Sequence, residues 1–187
     1  MIEVEIKARV NDFNNIKETL IEKGAKFIKS VDQIDKIFGL SKFLDSENKV
    51  VEGGIIARIR EKEGKNILEF KEISRQKGGI ELKFEISDID SIKKFLSKLD
   101  FKEAFTVKKT RELYSYKNFT ICLDTVDQLG KYIEIEKMVV TPDEKEKTRN
   151  DCLNLLKELA PFSEIENRKY GDIIQEMINK DPQSFKI

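Results

Sequence analysis

Charged and aliphatic residues alternate strictly through MIEVEIKARV: Glu3, Glu5 and Lys7 fall on one parity, and Ile2, Val4, Ile6 and Ala8 on the other. A period of two is that of a strand with one polar and one apolar face. After Asn11 or Asp12, either of which can cap a helix, the period lengthens, and Phe13, Ile16 and Leu20 form a helical stripe that stops at Gly24. A second strand is predicted over roughly Phe27 to Phe38, followed by an irregular crossing segment, SKFLDSENKV. GGIIARIREKEGKNILEFKEI reads as a hairpin turning at EGKN. Ile55, Ala57 and Ile59 oppose Arg58 and Arg60 on its first arm, and Leu68 and Phe70 oppose Glu69 and Lys71 on its second. IELKFEI repeats the device, with Glu81, Lys83 and Glu85 against Leu82, Phe84 and Ile86.

The pattern then begins again. A helix capped near Ser87 or Asp88 carries Ile92, Phe95, Leu96 and Leu99 on one stripe. Three strands follow, VKKTRELYSY, FTICLDTV and GKYIEIEKMVV, the last two joined at DQLG. TPDEKEKTRNDCLNLLKEL is predicted as a helix with Thr141 as cap, Pro142 at its first position and Glu144 completing a capping box. The chain is read as one domain over residues 1–187, and the recurring order makes two pseudo-repeated halves, 1–100 and 101–187, one way to divide it.

Parity also sorts the charges. Glu3 and Glu5 share a face, as do Arg58 with Arg60, Glu69 with Lys71, Lys109 with Arg111, and Glu134 with Glu136, while Asp124 opposes Ile121 and Leu123. On an open sheet each would be an ordinary solvated charge. If the sheet curls into a closed or nearly closed barrel, the same residues line an interior charged at both signs. Such an interior is costly to bury and suits water, metal ions and an anionic ligand.

Composition narrows the chemistry. With 39% apolar and 37% charged residues the chain has the makings of a globular core. Its 35 basic residues balance 35 acidic ones, which removes the broad electrostatic pull expected of a nucleic-acid binder and leaves any anion affinity to local clusters. There is no histidine, so imidazole acid/base chemistry, catalytic triads and most zinc sites are excluded. A metal would be held by carboxylates, which points to magnesium, manganese or calcium. No segment is long and apolar enough to span a membrane, and the acidic start fits neither a secretory signal nor a basic transit peptide. A cytoplasmic location is the expectation, with Cys122 and Cys152 as reduced, buried thiols.

Glu3-Val4-Glu5-Ile6-Lys7 resembles the ExExK signature of the CYTH superfamily, which contains class IV adenylate cyclases and thiamine triphosphatases. Further clusters match in the same order: ARIR with Arg58 and Arg60, LEFK with Lys71, IELKFE with Glu81, VKKTR with Lys109 and Arg111, CLDTVDQLGKYIEIE with Asp124, Glu134 and Glu136, and RKYGDII with Tyr170. The resemblance implies an α+β fold: an eight-stranded antiparallel closed β-barrel, the triphosphate tunnel, with flanking helices. It also implies a triphosphate compound as ligand, a divalent metal and a homodimer; from the charge balance and the lack of a long apolar segment, no nucleic-acid or membrane partner is expected.

Under that resemblance Lys7, Arg58, Arg60, Lys71, Lys109 and Arg111 bind the triphosphate, Lys7, Lys71 and Arg111 among them standing closest to the chemistry. Glu3, Glu5, Asp124, Glu134 and Glu136 hold magnesium or manganese, because an acid reaches a phosphate oxygen only through a cation. Glu69, Glu81 and Tyr170 support them. The implied activity is conversion of ATP to 3',5'-cyclic AMP and pyrophosphate. The alternatives are a metal-dependent triphosphatase acting on inorganic triphosphate, thiamine triphosphate or nucleoside triphosphates, and a triphosphate-binding module without turnover.

Overall fold

The computed structural model describes residues 2–47, 49–74 and 80–181. Asn48, inside the predicted crossing segment, lies outside them. The elements run β1 (Ile2–Val10), α1 (Asn14–Glu22), β2 (Lys26–Gly39), β3 (Ile55–Lys62), β4 (Lys65–Glu72), β5 (Glu81–Ile86), α2 (Ile89–Lys98), β6 (Lys102–Tyr116), β7 (Phe119–Val126), β8 (Gly130–Val139), α3 (Lys145–Leu159), β9 (Glu164–Ile165) and α4 (Tyr170–Lys180). Several local signals act as their chemistry predicts. Asp88 caps α2 by accepting from the Ser91 backbone amide at 3.1 Å. Thr141 and Glu144 form the capping box, although Pro142–Glu144 closes as a single 3-10 turn before α3 begins. The β3–β4 hairpin turns on two residues, Glu63 and Gly64, with φ of 51° and 74°, the left-handed pair that a tight type I′ turn requires. β6 starts five residues earlier than VKKTRELYSY suggested, and SKFLDSENKV contains one short 3-10 turn at Ser41–Phe43.

The sheet corrects the barrel expectation. Among the described residues nine strands, not eight, lie in the order β5-β4-β3-β2-β6-β7-β8-β1-β9, and the sheet is open, with β5 and β9 as its edges. Closure of eight strands would use the outer edge of β1. That edge is instead paired with β9, Ala8 opposite Ile165 and Arg9 opposite Glu164, and the Glu166 amide donates to the Lys7 carbonyl at 2.8 Å. The ninth strand is two residues long, too short for a period-two pattern to reveal.

The chain divides into two compact units. The first comprises Met1–Val31 and Lys109–Asn167. In it the apolar parity of the strands, Ile6, Ala8, Ile121, Leu123, Ile133 and Ile135, packs against Ile16 and Leu20 of α1 and Cys152, Leu155, Leu156 and Leu159 of α3. The second comprises Asp32–Lys108 and Arg168–Ile187. Here Phe38, Ala57, Ile59 and Leu68 pack against Leu96 of α2 and Phe101, with the Phe70 and Phe101 rings edge to face at 6.1 Å. Phe95 and Leu99, assigned by sequence to the same helical stripe as Leu96, are exposed. In both units the helices cover the aliphatic face, which leaves the other parity, the charged one, on the opposite side of the strands. Both cysteines are free thiols and buried.

Candidate metal and phosphate sites

In the first unit, strand register brings the charges of four strands together. On β8, Glu134 lies opposite Lys7 of β1 and Cys122 of β7, and Glu136 lies opposite Glu5 and Thr120. Arg111 of β6 lies opposite Asp124 of β7. Directly opposed residues share a face, so these side chains meet. Arg111 grips Asp124 with both edges of its fork, Nε donating to Oδ1 and Nη2 to Oδ2, each at 2.6 Å. The same guanidinium donates to Glu134 and, from Nη1 at 3.4 Å, to Oε1 of Glu136. Lys109 Nζ donates to Asp124 Oδ2 at 2.9 Å. Burial alone would raise the Asp124 carboxyl, but hydrogen bonds and charge from Arg111 and Lys109 outweigh it and hold it below the usual carboxylate range.

Glu3, Glu5 and Glu136 form a separate group, with one carboxylate oxygen of each within 4.8 Å of the others. Glu3 and Glu5 are exposed and Glu136 is half-buried. Burial pushes the Glu136 carboxyl up to about 7; Glu3, Glu134 and Glu5 add repulsion, against the pull of Arg111. Desolvation and then Glu134 raise Glu5 as well. Like charges crowded in this way are relieved by a shared cation, and an all-oxygen donor set fits a hard divalent ion such as magnesium or manganese. Of the five predicted metal ligands, then, three converge as a group, Glu136 among them at 3.4 Å from Arg111, while Asp124 and Glu134 lie outside the group and are bonded by Arg111. Lys7 is buried beside them, its ammonium pushed down by burial against the opposing charge of Glu134 and Glu5. Cys122 shares the charged face, where its buried thiol, raised above the ordinary range by desolvation, lies 3.6 Å from Glu136 Oε1.

The second unit carries its own charged face. Arg58 lies opposite Glu69, Arg60 opposite Asp35, and Lys71 opposite Glu81. Arg58 Nε donates to Glu69 Oε2 at 2.7 Å and its Nη2 reaches the same oxygen, while Arg60 makes a two-point bond to Asp35. Lys71 and Lys83 pair with Glu81 at 3.0 and 2.9 Å. Desolvation would raise the Glu81 carboxyl, but those two lysines hold it at about 2. Burial, then the neighbouring Arg58, pushes the Lys71 ammonium down. Tyr170 is buried at the start of α4. Asp35 and Gln33 were missed from sequence. Their signal was two polar residues spaced by two in the strand before ARIR, hidden because Lys36 and Ile37 break the alternation that Gln33, Ile34 and Asp35 begin.

A family model described as the CYTH domain matches residues 1–170, and the chain belongs to the CYTH family. A Methanocaldococcus jannaschii protein, provisionally named an adenylate cyclase, is 33% identical over 164 residues, covering 85% of this chain and 90% of that protein. Among solved structures, the PH1819 protein of Pyrococcus horikoshii is 29% identical with a TM-score of 0.74, covering 94% of this chain and 99% of its own. The PH1012 protein of the same organism is 29% identical with a TM-score of 0.70, covering 91% and 98%. Family membership and the carboxylate group together support a metal-dependent phosphoryl-transfer enzyme that handles a phosphate compound. Among the described residues no helix is long and apolar enough to cross a membrane.

Proposed function

We propose that the protein converts ATP to 3',5'-cyclic AMP and pyrophosphate with a divalent metal. The observation that carries the reading is the sorting of charge on one face of the first unit: three carboxylates converge within 4.8 Å, and Lys7, Lys109 and Arg111 stand on the same face. The name of the Methanocaldococcus relative supports cyclisation over other phosphoryl transfers. Glu3, Glu5 and Glu136 would hold the metal, with Glu134 beside them. When bound, magnesium or manganese lowers the pKa of an attacking hydroxyl and neutralises phosphate oxygens. Arg111, anchored by Asp124, presents fixed positive charge to a phosphate, as Lys109 and Lys7 do. In the second unit Arg58, Arg60 and Lys71 are phosphate ligands, and Glu69 and Glu81 keep them in place.

A second reading, triphosphate hydrolysis, is favoured by the nature of these residues: all of them address phosphate or metal, and none is specific for adenine. Product identification separates the two. ATP, inorganic tripolyphosphate and thiamine triphosphate are each offered with magnesium and with manganese. Cyclisation gives cyclic AMP and pyrophosphate from ATP, no orthophosphate, and tripolyphosphate acts only as a competitor. Orthophosphate from tripolyphosphate without cyclic AMP from ATP would overturn cyclisation in favour of hydrolysis. Tight binding without any product would leave a triphosphate-binding module.

A further inference from the structure

Two arginines and two carboxylates form a crossed lattice in the second unit. Arg60 Nε and Nη2 each donate to Asp35, to Oδ1 and Oδ2, at 2.7 Å. Arg58 bonds Glu69, and each arginine also approaches the other's partner, Arg58 Nη1 at 3.6 Å from Asp35 and Arg60 Nη1 at 3.8 Å from Glu69. Gln33 Nε2 donates to Asp35 Oδ2 at 3.0 Å, which fixes the carboxylate in turn. Gln33 and Asp35 are both buried. The side chains are layered: Asp35 and Glu69 are 9% and 2% exposed, Arg58 and Arg60 17% and 22%. The carboxylates therefore lie beneath the guanidiniums, and the cations form the outer layer.

Buried ion pairs are a poor way to gain stability, since well-packed apolar residues of similar volume often do as well or better. What this arrangement supplies is orientation. A two-point bond fixes both the position and the plane of a guanidinium before any ligand arrives, which removes the entropy cost of ordering it on binding. We propose that Asp35, held by Gln33, is a positioning residue that presents Arg60 to the phosphate chain of a polyphosphate ligand. The proposal rests on the phosphate-binding role given above to Arg58 and Arg60.

Electrostatics and positioning predict opposite signs. Removing the charge of Asp35 makes the cluster more positive, so charge alone would tighten the grip on an anion; loss of positioning would loosen it. Inorganic tripolyphosphate with manganese is titrated calorimetrically into the full chain and into Asp35→Asn, Arg60→Ala and the double variant, with thermal melting to establish that each is folded. Asp35→Asn is expected to bind about tenfold more weakly, and the double variant no more weakly than Arg60→Ala alone, because Asp35 acts through Arg60. Should Asp35→Asn not fold, Gln33→Leu takes its place, with an expected weakening of about threefold that again vanishes in the Arg60→Ala background. Binding as tight as or tighter than the parent in the folded Asp35→Asn or Gln33→Leu variant, or losses that simply add in the double variant, overturns the positioning role while the loss in Arg60→Ala upholds the phosphate role. No loss in Arg60→Ala overturns both.

Discussion

The two charged faces are built by the same rule and reach different ends. In the first unit, among the described residues of the charged parity, six carboxylates (Glu3, Glu5, Asp124, Glu134, Glu136 and Glu164) face four cations, Lys7, Arg9, Lys109 and Arg111. One cation, Arg111, bonds three of the acids, so Glu3 and Glu5 are left crowded against Glu136, whose carboxyl stands at about 7. In the second unit, among the described residues of that parity on β2 to β5, six cations (Arg58, Arg60, Lys62, Lys65, Lys71 and Lys83) face four carboxylates, Asp35, Glu69, Glu81 and Glu85. There Asp35 and Glu69 sit beneath the arginines, and the surplus is positive. Alternation of charge along a strand is thus common to both, but the first face is short of cations and suited to a metal, whereas the second is suited to an anion.

The largest effect should come from Arg111→Ala. It takes the two-point partner from a fully buried Asp124, which keeps Lys109, and the unfolding free energy is expected to fall by about 3 kcal/mol in denaturant titration. Arg60→Ala, whose partner Asp35 keeps Gln33, should cost less, about 1–3 kcal/mol. A reversed order would break the contrast between one cation serving many acids and a shared lattice.

Next in size is Glu134→Gln combined with Glu136→Gln. Losing two carboxylates from the metal-suited face should reduce metal-dependent turnover on the order of 100-fold or more. Stability should change little or rise, because like-charge repulsion is removed. Unchanged turnover would take both residues out of the site. A milder change, Arg60→Lys, keeps the charge and loses the fork, and should weaken tripolyphosphate binding by about tenfold in calorimetry.

A further effect, spread over several pH units, is a dependence of stability on pH. Glu136 titrates at about 7 in the fold against an ordinary 4.5, so its contribution to stability is fully present below pH 4.5 and is lost as pH rises through about 7. Melting in the presence of a chelator should therefore show a loss on the order of 1–3 kcal/mol across that window. Glu136→Gln should flatten it. Asp124, shifted the other way, destabilises the fold only as pH falls below the ordinary carboxylate range.

Much of this was open to reading from residue order. Period two placed Glu3, Glu5, Lys7, Arg58, Arg60, Glu134 and Glu136 on charged faces, and the structure opposes Glu5 to Glu136, Lys7 to Glu134 and Arg111 to Asp124 by register. Register itself was not readable, because it depends on turn lengths. The two-residue turn at Glu63–Gly64, shorter than EGKN, sets that Arg58 meets Glu69. Nor was the division of labour among acids readable: parity treats Asp124 and Glu136 alike, and the geometry separates Asp124, held at two points by Arg111 and again by Lys109, from Glu136, which Arg111 reaches only at 3.4 Å. Closure failed as an expectation because strand pattern says nothing about which edge pairs with which, and a two-residue partner, β9, occupies part of β1.

The central claim is that the crowded carboxylates of the first unit hold a divalent ion needed for triphosphate binding. The direct measurement is the affinity for inorganic tripolyphosphate in manganese and in chelator, for the parent and for Glu3→Gln with Glu5→Gln. The parent is expected to bind on the order of 100-fold more tightly with manganese than without, and the variant to show equal affinity in both. Equal affinity in the parent, or a manganese effect that survives in the variant, would contradict it.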